Sequence, residues 1–327
     1  MSRYIIKRVL WMIPIILGVL LIVFTISYFT PGDPVKAILG TGYTPEAYEA
    51  KRLELGLDQP FFVQFVNYVI DLLRGDMGVS YIYGHSVAGE IAVRIGITLK
   101  IGIMGVIVTA ALGIPAGIIS ATHQYSVLDS SVTVVSLIFA GMPGFWLALV
   151  SVLLFSLTLR WLPATGLEHW YSYILPVLAN ALPSVANVAR MARSSTLEVI
   201  RMDYIRTARA KGLKEGVVIR RHVLKNALVP VVTVVGMQMG FVMAGSVIVE
   251  SIFSIPGLGS YMMTGINNRD YPVINATVLV LAISVCIMNL LVDIAYAYID
   301  PRIKAQYENN SKRKKQIQAI KGEEASK

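Results

Sequence analysis

Cysteine is almost absent: Cys286 stands alone in 327 residues, so no disulfide can form within the chain. Histidine is scarce too, and His85, His123, His169 and His222 lie too far apart in sequence to form a metal-ligand pattern. No serine, cysteine or threonine sits in a visible nucleophile–base grouping, which leaves no basis for covalent catalysis. Charge is thin, with Asp, Glu, Lys and Arg at 15% of residues, against about a quarter in a soluble domain. The formal net charge is +9, but no aromatic–basic stripe accompanies it. Nucleic acid is therefore a poor partner for this charge.

What the sequence has in abundance is apolar length. Hydrophobic residues make up 55% of the chain and the mean hydropathy is +0.63. A helix that crosses a hydrocarbon core of about 30 Å needs roughly 20 largely apolar residues. Val9–Tyr28, Ile101–Ile119, Val132–Leu159, Ala227–Val249 and Val273–Ala297 meet that standard. Trp170–Ala189 is a weaker sixth, because Asn180, Pro183 and Asn187 interrupt it. Such residues are tolerated where neighbouring helices satisfy the freed polar groups. Val9–Tyr28 follows Arg3, Lys7 and Arg8 as a signal peptide would, yet no small-x-small cleavage site follows it. It reads as a retained first helix. The fold class expected is an all-α integral membrane protein with six transmembrane helices.

Basic residues then orient the chain. With the N-terminus in the cytoplasm and six alternating spans, the cytoplasmic segments 1–8, 122–130, 193–226 and 300–327 hold 20 of the 29 Lys and Arg, and the opposite side holds 7. Positive residues favour the cytoplasmic side, so both termini are expected there. The sixth span is needed for this result. The chain divides into residues 1–30 (N-terminus and first span), 31–96 (an extracytoplasmic loop with short helices), 97–299 (a five-helix core with a cytoplasmic loop at 193–226) and 300–327 (a basic cytoplasmic tail). Within the external loop, Thr44-Pro45-Glu46 reads as an N-cap followed by proline at the first helical position, with Gly56 as the stop.

The loop at 193–226 is the most informative stretch. Asp203 to Leu213 reads as a short helix capped by Asp203 and stopped by Gly212, with Ala208 and Ala210 small enough to enter another protein's groove. Arg206, Arg209, Lys211 and Lys214 surround them. A solvated basic loop beside anionic lipid is the alternative reading.

Tyr204-Ile-Arg-Thr-Ala-Arg-Ala-Lys-Gly-Leu213, followed by Arg221-His-Val-Leu-Lys-Asn-Ala-Leu-Val-Pro230, resembles the cytoplasmic loop of binding-protein-dependent ABC importer permeases. The match is to the first, B-type permease of the dipeptide, oligopeptide and nickel group. It extends over nearly the whole chain, through Pro31-Gly-Asp-Pro34, Leu55-Gly-Leu-Asp-Gln-Pro60, Gly75-Asp-Met-Gly-Val-Ser80, Pro143-Gly-Phe-Trp-Leu147, Phe253-Ser-Ile-Pro-Gly-Leu-Gly259 and Asn268-Arg-Asp-Tyr-Pro272. The resemblance implies the permease fold and a coupling helix seated in a groove of an ATP-binding subunit. Asp203, Arg206, Thr207, Ala208, Arg209, Ala210, Lys211 and Gly212 would form that element. Arg206-Thr-Ala stands where the general motif has Glu-Ala-Ala, so no acidic contact is carried over. The implied partners are a second homologous permease, two ATP-binding cassette subunits, an extracytoplasmic solute-binding protein and membrane lipid. The implied activity is alternating-access transport of short peptides, with nickel or another small solute as an alternative cargo. An ion-coupled transporter or channel is the alternative from another class. The chain lacks the Gly-x-x-x-x-Gly-Lys-[Ser/Thr] phosphate loop, so it is expected not to be an enzyme. It would bind no cofactor, and ATP and Mg would sit on the partner subunits.

Two further sets of residues stand out in the spans. Gly236, Gly240 and Ala244 on the fifth span, and Gly113 and Gly117 on the second, have the four-residue spacing that lets helix backbones approach in lipid. Gly102, Gly105 and Gly141 fit the same picture. Polar groups inside spans are costly and mark either a path or a contact between helices. Gln238, Glu250, Asn289 and Asp293 are the candidates for lining a translocation path, while Lys100 lies at a helix end where it can snorkel.

Overall fold

A computed structural model describes residues 2–299, without the side chains of residues 2–4, 245, 293 and 295–299. The basic tail at 300–327 lies outside the described residues. Every long apolar block becomes helix. Five helices are long and apolar enough to cross a membrane, and a bent pair brings the number to six if that pair counts as one span. The long helices are α1 (Ser2–Phe29), α5 (Val87–Thr122), α8 (Ile174–Ile200), α11 (Leu224–Ile252) and α13 (Tyr271–Ile299). The bent pair is α6 (Val127–Gly141) and α7 (Gly144–Ser151), the latter continuing as a π-turn over Val152–Thr158.

The bend corrects the expectation of one straight span over Val132–Leu159. α6 and the helix that follows it meet at 102°. Pro143 disfavours the helical region for the residue before it, and Met142 is extended at φ −90°, ψ 126°. The apolar run is unbroken there, so composition alone hides the corner.

α8 occupies the centre. Gly113 and Gly117 of α5 face it so closely that a Cβ on Gly117 would lie 2.3 Å from the Ala189 carbonyl oxygen and 2.5 Å from the Ala192 Cβ. Close backbone approach of this kind is what small residues provide in a bilayer. α11 packs on α5 through Gly102 and Gly105, which sit under Met243 and Val242. The expected stripe on α11 divides. Gly236 is pressed against Val292 of α13, Gly240 makes only ordinary contact with α13, and Ala244 is exposed. A Cβ added to Gly141 would meet nothing within 4 Å, so no close helix approach depends on it here.

Residues 31–96 carry α2 (Pro34–Leu39), α3 (Pro45–Glu54) and α4 (Phe61–Leu73). The Thr44 hydroxyl accepts from the Ala47 amide and Gly56 takes φ +65°, so α3 starts and stops where its residues dictate. This region is tied to the helices behind it. Asp270, at the turn between α12 (Leu258–Asn268) and α13, is buried and accepts hydrogen bonds from the Ser80 hydroxyl and the Tyr81 amide. Ser27 of α1 donates to Asn275 of α13 at 2.9 Å.

Candidate coupling surface and membrane path

α9 (Asp203–Ala210) projects from the end of the bundle between α8 and α11, with α10 (Glu215–Val217) and a π-turn over Val218–Val223 leading back into α11. Its two faces differ sharply. Ile205 and Ala208, three residues apart, are buried with Val199, Val218, Val223 and Ala227. Asp203, Arg206, Thr207, Arg209 and Ala210 are exposed on the other side, followed by Lys211 and Gly212.

Two expectations are corrected here. Ala208 is turned inward as a core residue and cannot enter a partner's groove; of the two alanines only Ala210 is presented. Asp203 is the first helical residue rather than the cap. The N-cap is Met202, which makes no side-chain cap, while Asp203 complements the helix dipole and lies 3.8 Å from Arg206. Gly212 does end the segment, at φ +75°, a conformation that costs glycine little.

The projection is braced. The Arg209 guanidinium donates to both oxygens of Glu215 at 2.6 and 3.0 Å, and that carboxylate holds it more firmly in its charged form. Asn226 donates to the Tyr204 hydroxyl at 2.8 Å, and Ser195 donates to the Ala227 carbonyl at 2.8 Å. Further back along α8, Arg193 grips Asp129 of α6 through Nε at 2.7 Å and Nη2 at 2.9 Å. Asp129 also accepts from the Ser120 hydroxyl and the Tyr125 amide. This pair links α8, two turns before its end, to the first turn of α6. Sequence reading missed it; the available signal was Ser126-x-x-Asp129, an acid at the start of a helix. The exposed rim combines Arg201, Arg206, Lys211, Lys214, Arg220 and Arg221 with Met202, Tyr204, Leu213 and Val217, a mixture suited to an acidic protein groove with an apolar floor.

Among the described residues the intramembrane candidates do not converge. Gln238 accepts from the Ser184 hydroxyl at 3.2 Å, joining α11 to α8, and Asn180 donates to the Val242 carbonyl at 2.8 Å. Glu250 is fully buried, and its Oε2 accepts from the amides of Gly259 and Ser260 at the start of α12. The Leu258 amide there is taken by the Thr98 hydroxyl. Glu250 thus serves as a cap supplied by α11. Asn289 is exposed across from Gly240, and the Asp293 side chain lies outside the described residues. Lys100 sits over the Tyr173 ring at 4.2 Å, a cation–π contact in place of free snorkelling. Among the described residues no group of His, Cys, Asp or Glu is arranged to hold a metal ion.

The model for the binding-protein-dependent transport system inner membrane component matches residues 113–305, and the model for the N-terminal part of such components matches residues 1–88. The chain belongs to this family. It is similar to the dipeptide transport system permease protein DppB of Alkalihalophilus pseudofirmus, with 40% identity over 93% of this chain and 100% of that one. Similarity to the glutathione transport system permease protein GsiC of Escherichia coli strain K12 is nearly as high, at 39% identity over 93% of this chain and 99% of that protein. The solved structure of the MetNI methionine ABC transporter, at 18% identity, superposes with a TM-score of 0.55 over 64% of this chain and 96% of the matched one. That likeness concerns the fold. The chain is a multi-pass permease component of an ABC importer in the bacterial cytoplasmic membrane.

Proposed function

We infer that this chain forms one half of the membrane path of an importer for short peptides, paired with a second homologous permease. Two ATP-binding cassette subunits supply ATP and Mg and carry out hydrolysis, and an extracytoplasmic solute-binding protein delivers the cargo. Both termini and the loop at 193–226 lie in the cytoplasm, as the basic residues require. The residues 31–96, 97–299 and 300–327 act as the external, core and tail regions.

The observation that carries the coupling role is the division of α9 into a buried Ile205–Ala208 face and an exposed basic face, tied to the segment that follows by Arg209–Glu215 and carried on α8, which Arg193–Asp129 joins to α6. A lever must be stiff where it joins the permease and free where the motor grips it. The cargo class is supported by the two relatives above, whose names give dipeptide and glutathione as what they transport.

The test uses the four-subunit complex in proteoliposomes with its binding protein. Ala210→Trp is expected to lower ligand-stimulated ATP hydrolysis and uptake at least tenfold while leaving the permease folded. Normal uptake by that variant would sink the coupling assignment. Uptake of a nickel chelate in preference to dipeptides would overturn the cargo assignment and leave the coupling role intact.

A further inference from the structure

α4 divides into three sectors. At about 100° per residue, Phe61, Phe65 and Tyr68 fall on one side, Gln64, Asn67 and Asp71 on a second, and Phe62, Val63, Val66, Ile70 and Leu73 on a third. The first sector is spoken for. Phe61, Phe65 and Tyr68 lie 5.5–5.8 Å, centroid to centroid, from the Phe24 ring of α1, and Phe61 also meets Tyr28 at 5.1 Å. The second sector turns to a water-accessible cavity of about 1200 Å³, lined also by Asp33, Tyr48 and Tyr81. The third sector is the exposed one: Phe62 is 73% exposed, Val66 52% and Leu73 83%, with Val63 and Ile70 partly covered.

The helix beneath α4 fixes its depth. α1 is the span with the least protein around it, 6% buried over its apolar window. Phe24, Tyr28 and Phe29 belong to the last turns of that span. At 1.5 Å per residue, Phe24 lies about 8 Å from the helix end at Phe29. That is the depth at which an amphipathic helix beds its apolar face, roughly 5–10 Å into the boundary between headgroups and acyl chains. An apolar sector, a polar sector and aromatic rings at one height meet the requirements of such a helix. Arg74 follows at the C-terminal end, exposed, where a headgroup phosphate can meet it.

We propose that α4 is an interfacial helix, lying in the leaflet on its own side of the membrane with Phe62, Val66, Ile70 and Leu73 among the lipid chains. The inference is independent of cargo and of the coupling role. It gives α4 a mechanical role, in which the helix holds one wall of the cavity at the membrane surface and leaves its polar residues to the water side.

The single cysteine makes the test direct. In a Cys286→Ala background that retains uptake, nitroxide labels are placed on Phe62→Cys, Val66→Cys, Asn67→Cys and Leu73→Cys, one at a time. The complete importer is reconstituted in vesicles of phosphatidylethanolamine and phosphatidylglycerol. Labels at 62, 66 and 73 are expected to collide with dissolved oxygen several-fold more than with a water-soluble nickel chelate, and the label at 67 is expected to show the reverse. Chelate access at all four positions would overturn the proposal in favour of a water-exposed surface. Protection of 62, 66 and 73 from both reagents would overturn it in favour of a protein partner. Four separate positions guard against one variant that fails to fold.

Discussion

α1 and α8 are both spans, and they are opposites. The apolar window of α1 has a mean hydropathy of 2.9 and is 6% buried, whereas that of α8 has a mean hydropathy of 1.3 and is 61% buried. A helix facing lipid must be apolar on every exposed face, because nothing in the hydrocarbon accepts a hydrogen bond. One wrapped by other helices can carry Asn180, Ser184 and Ser195, because α11 supplies Gln238 and the carbonyls of Val242 and Ala227. Low hydropathy in this chain is therefore a sign of the centre and not of doubtful membership among the spans. α9 hangs from α8, so under the proposed coupling role the helix most enclosed by its neighbours is also the one a motor would move.

The largest test of this contrast replaces glycine in each setting. Gly117→Leu would drive a side chain into the Ala189 carbonyl, the Ala192 Cβ and the Arg193 amide, all backbone or near-backbone atoms that cannot yield. Overpacking in a well-packed core costs about 1–3 kcal/mol and more where backbones must part. The expected outcome is loss of a folded permease in detergent, read by size-exclusion elution and thermal denaturation. Gly18→Leu in α1 has open space, with nothing within 4 Å, and is expected to leave both readouts unchanged. Equal damage at the two positions would break the comparison and mean that a partner covers α1.

A smaller effect tests the base of α8. The Asp129 side chain is 6% exposed and that of Arg193 30%. A hydrogen bond to a charged group is worth about 1.5–3 kcal/mol, and this pair lies at the rim of the bundle rather than deep inside it. Arg193→Gln is expected near the lower end of that range, since Arg193 keeps some solvent. The double variant Asp129→Asn/Arg193→Gln should recover most of the loss. A double variant no better than the single would mean that the hydrogen bonds to Ser120 and Tyr125, rather than charge compensation, carry the site.

How much of this was legible follows from the same physics. α1 and α13 are plain in the sequence because lipid contact is read from side-chain polarity, residue by residue. α8 needed the distribution of basic residues to be counted as a span at all, and its central position was beyond reach, since hydropathy does not say which protein surface stands opposite. The corner at Pro143 was hidden inside an apolar run. The two faces of α9 were present in the spacing of Ile205 and Ala208, but small size drew attention to Ala208 and concealed its burial. Glu250 showed as a charge near a helix end; that it caps α12 depends on the chain folding back nine residues later, which no local pattern records.

The smallest predicted effect decides what the polar residues of α8 are for. Hydrogen bonds between membrane helices average about 0.6 kcal/mol, so Asn180→Leu should destabilise the permease only slightly as its bond to the Val242 carbonyl is lost. Thr25 of α1 donates to the Leu21 carbonyl of its own helix at 2.6 Å in an exposed setting, and Thr25→Val should have no measurable effect. The informative quantity is the uptake rate alongside the melting temperature. If Asn180→Leu melts within a degree or two of the parent and transports normally, the bond to α11 is one weak contact among many. A variant that melts like the parent yet transports poorly would move Asn180 from packing to the path, and would place the route along the α8–α11 seam where Ser184 and Gln238 already meet.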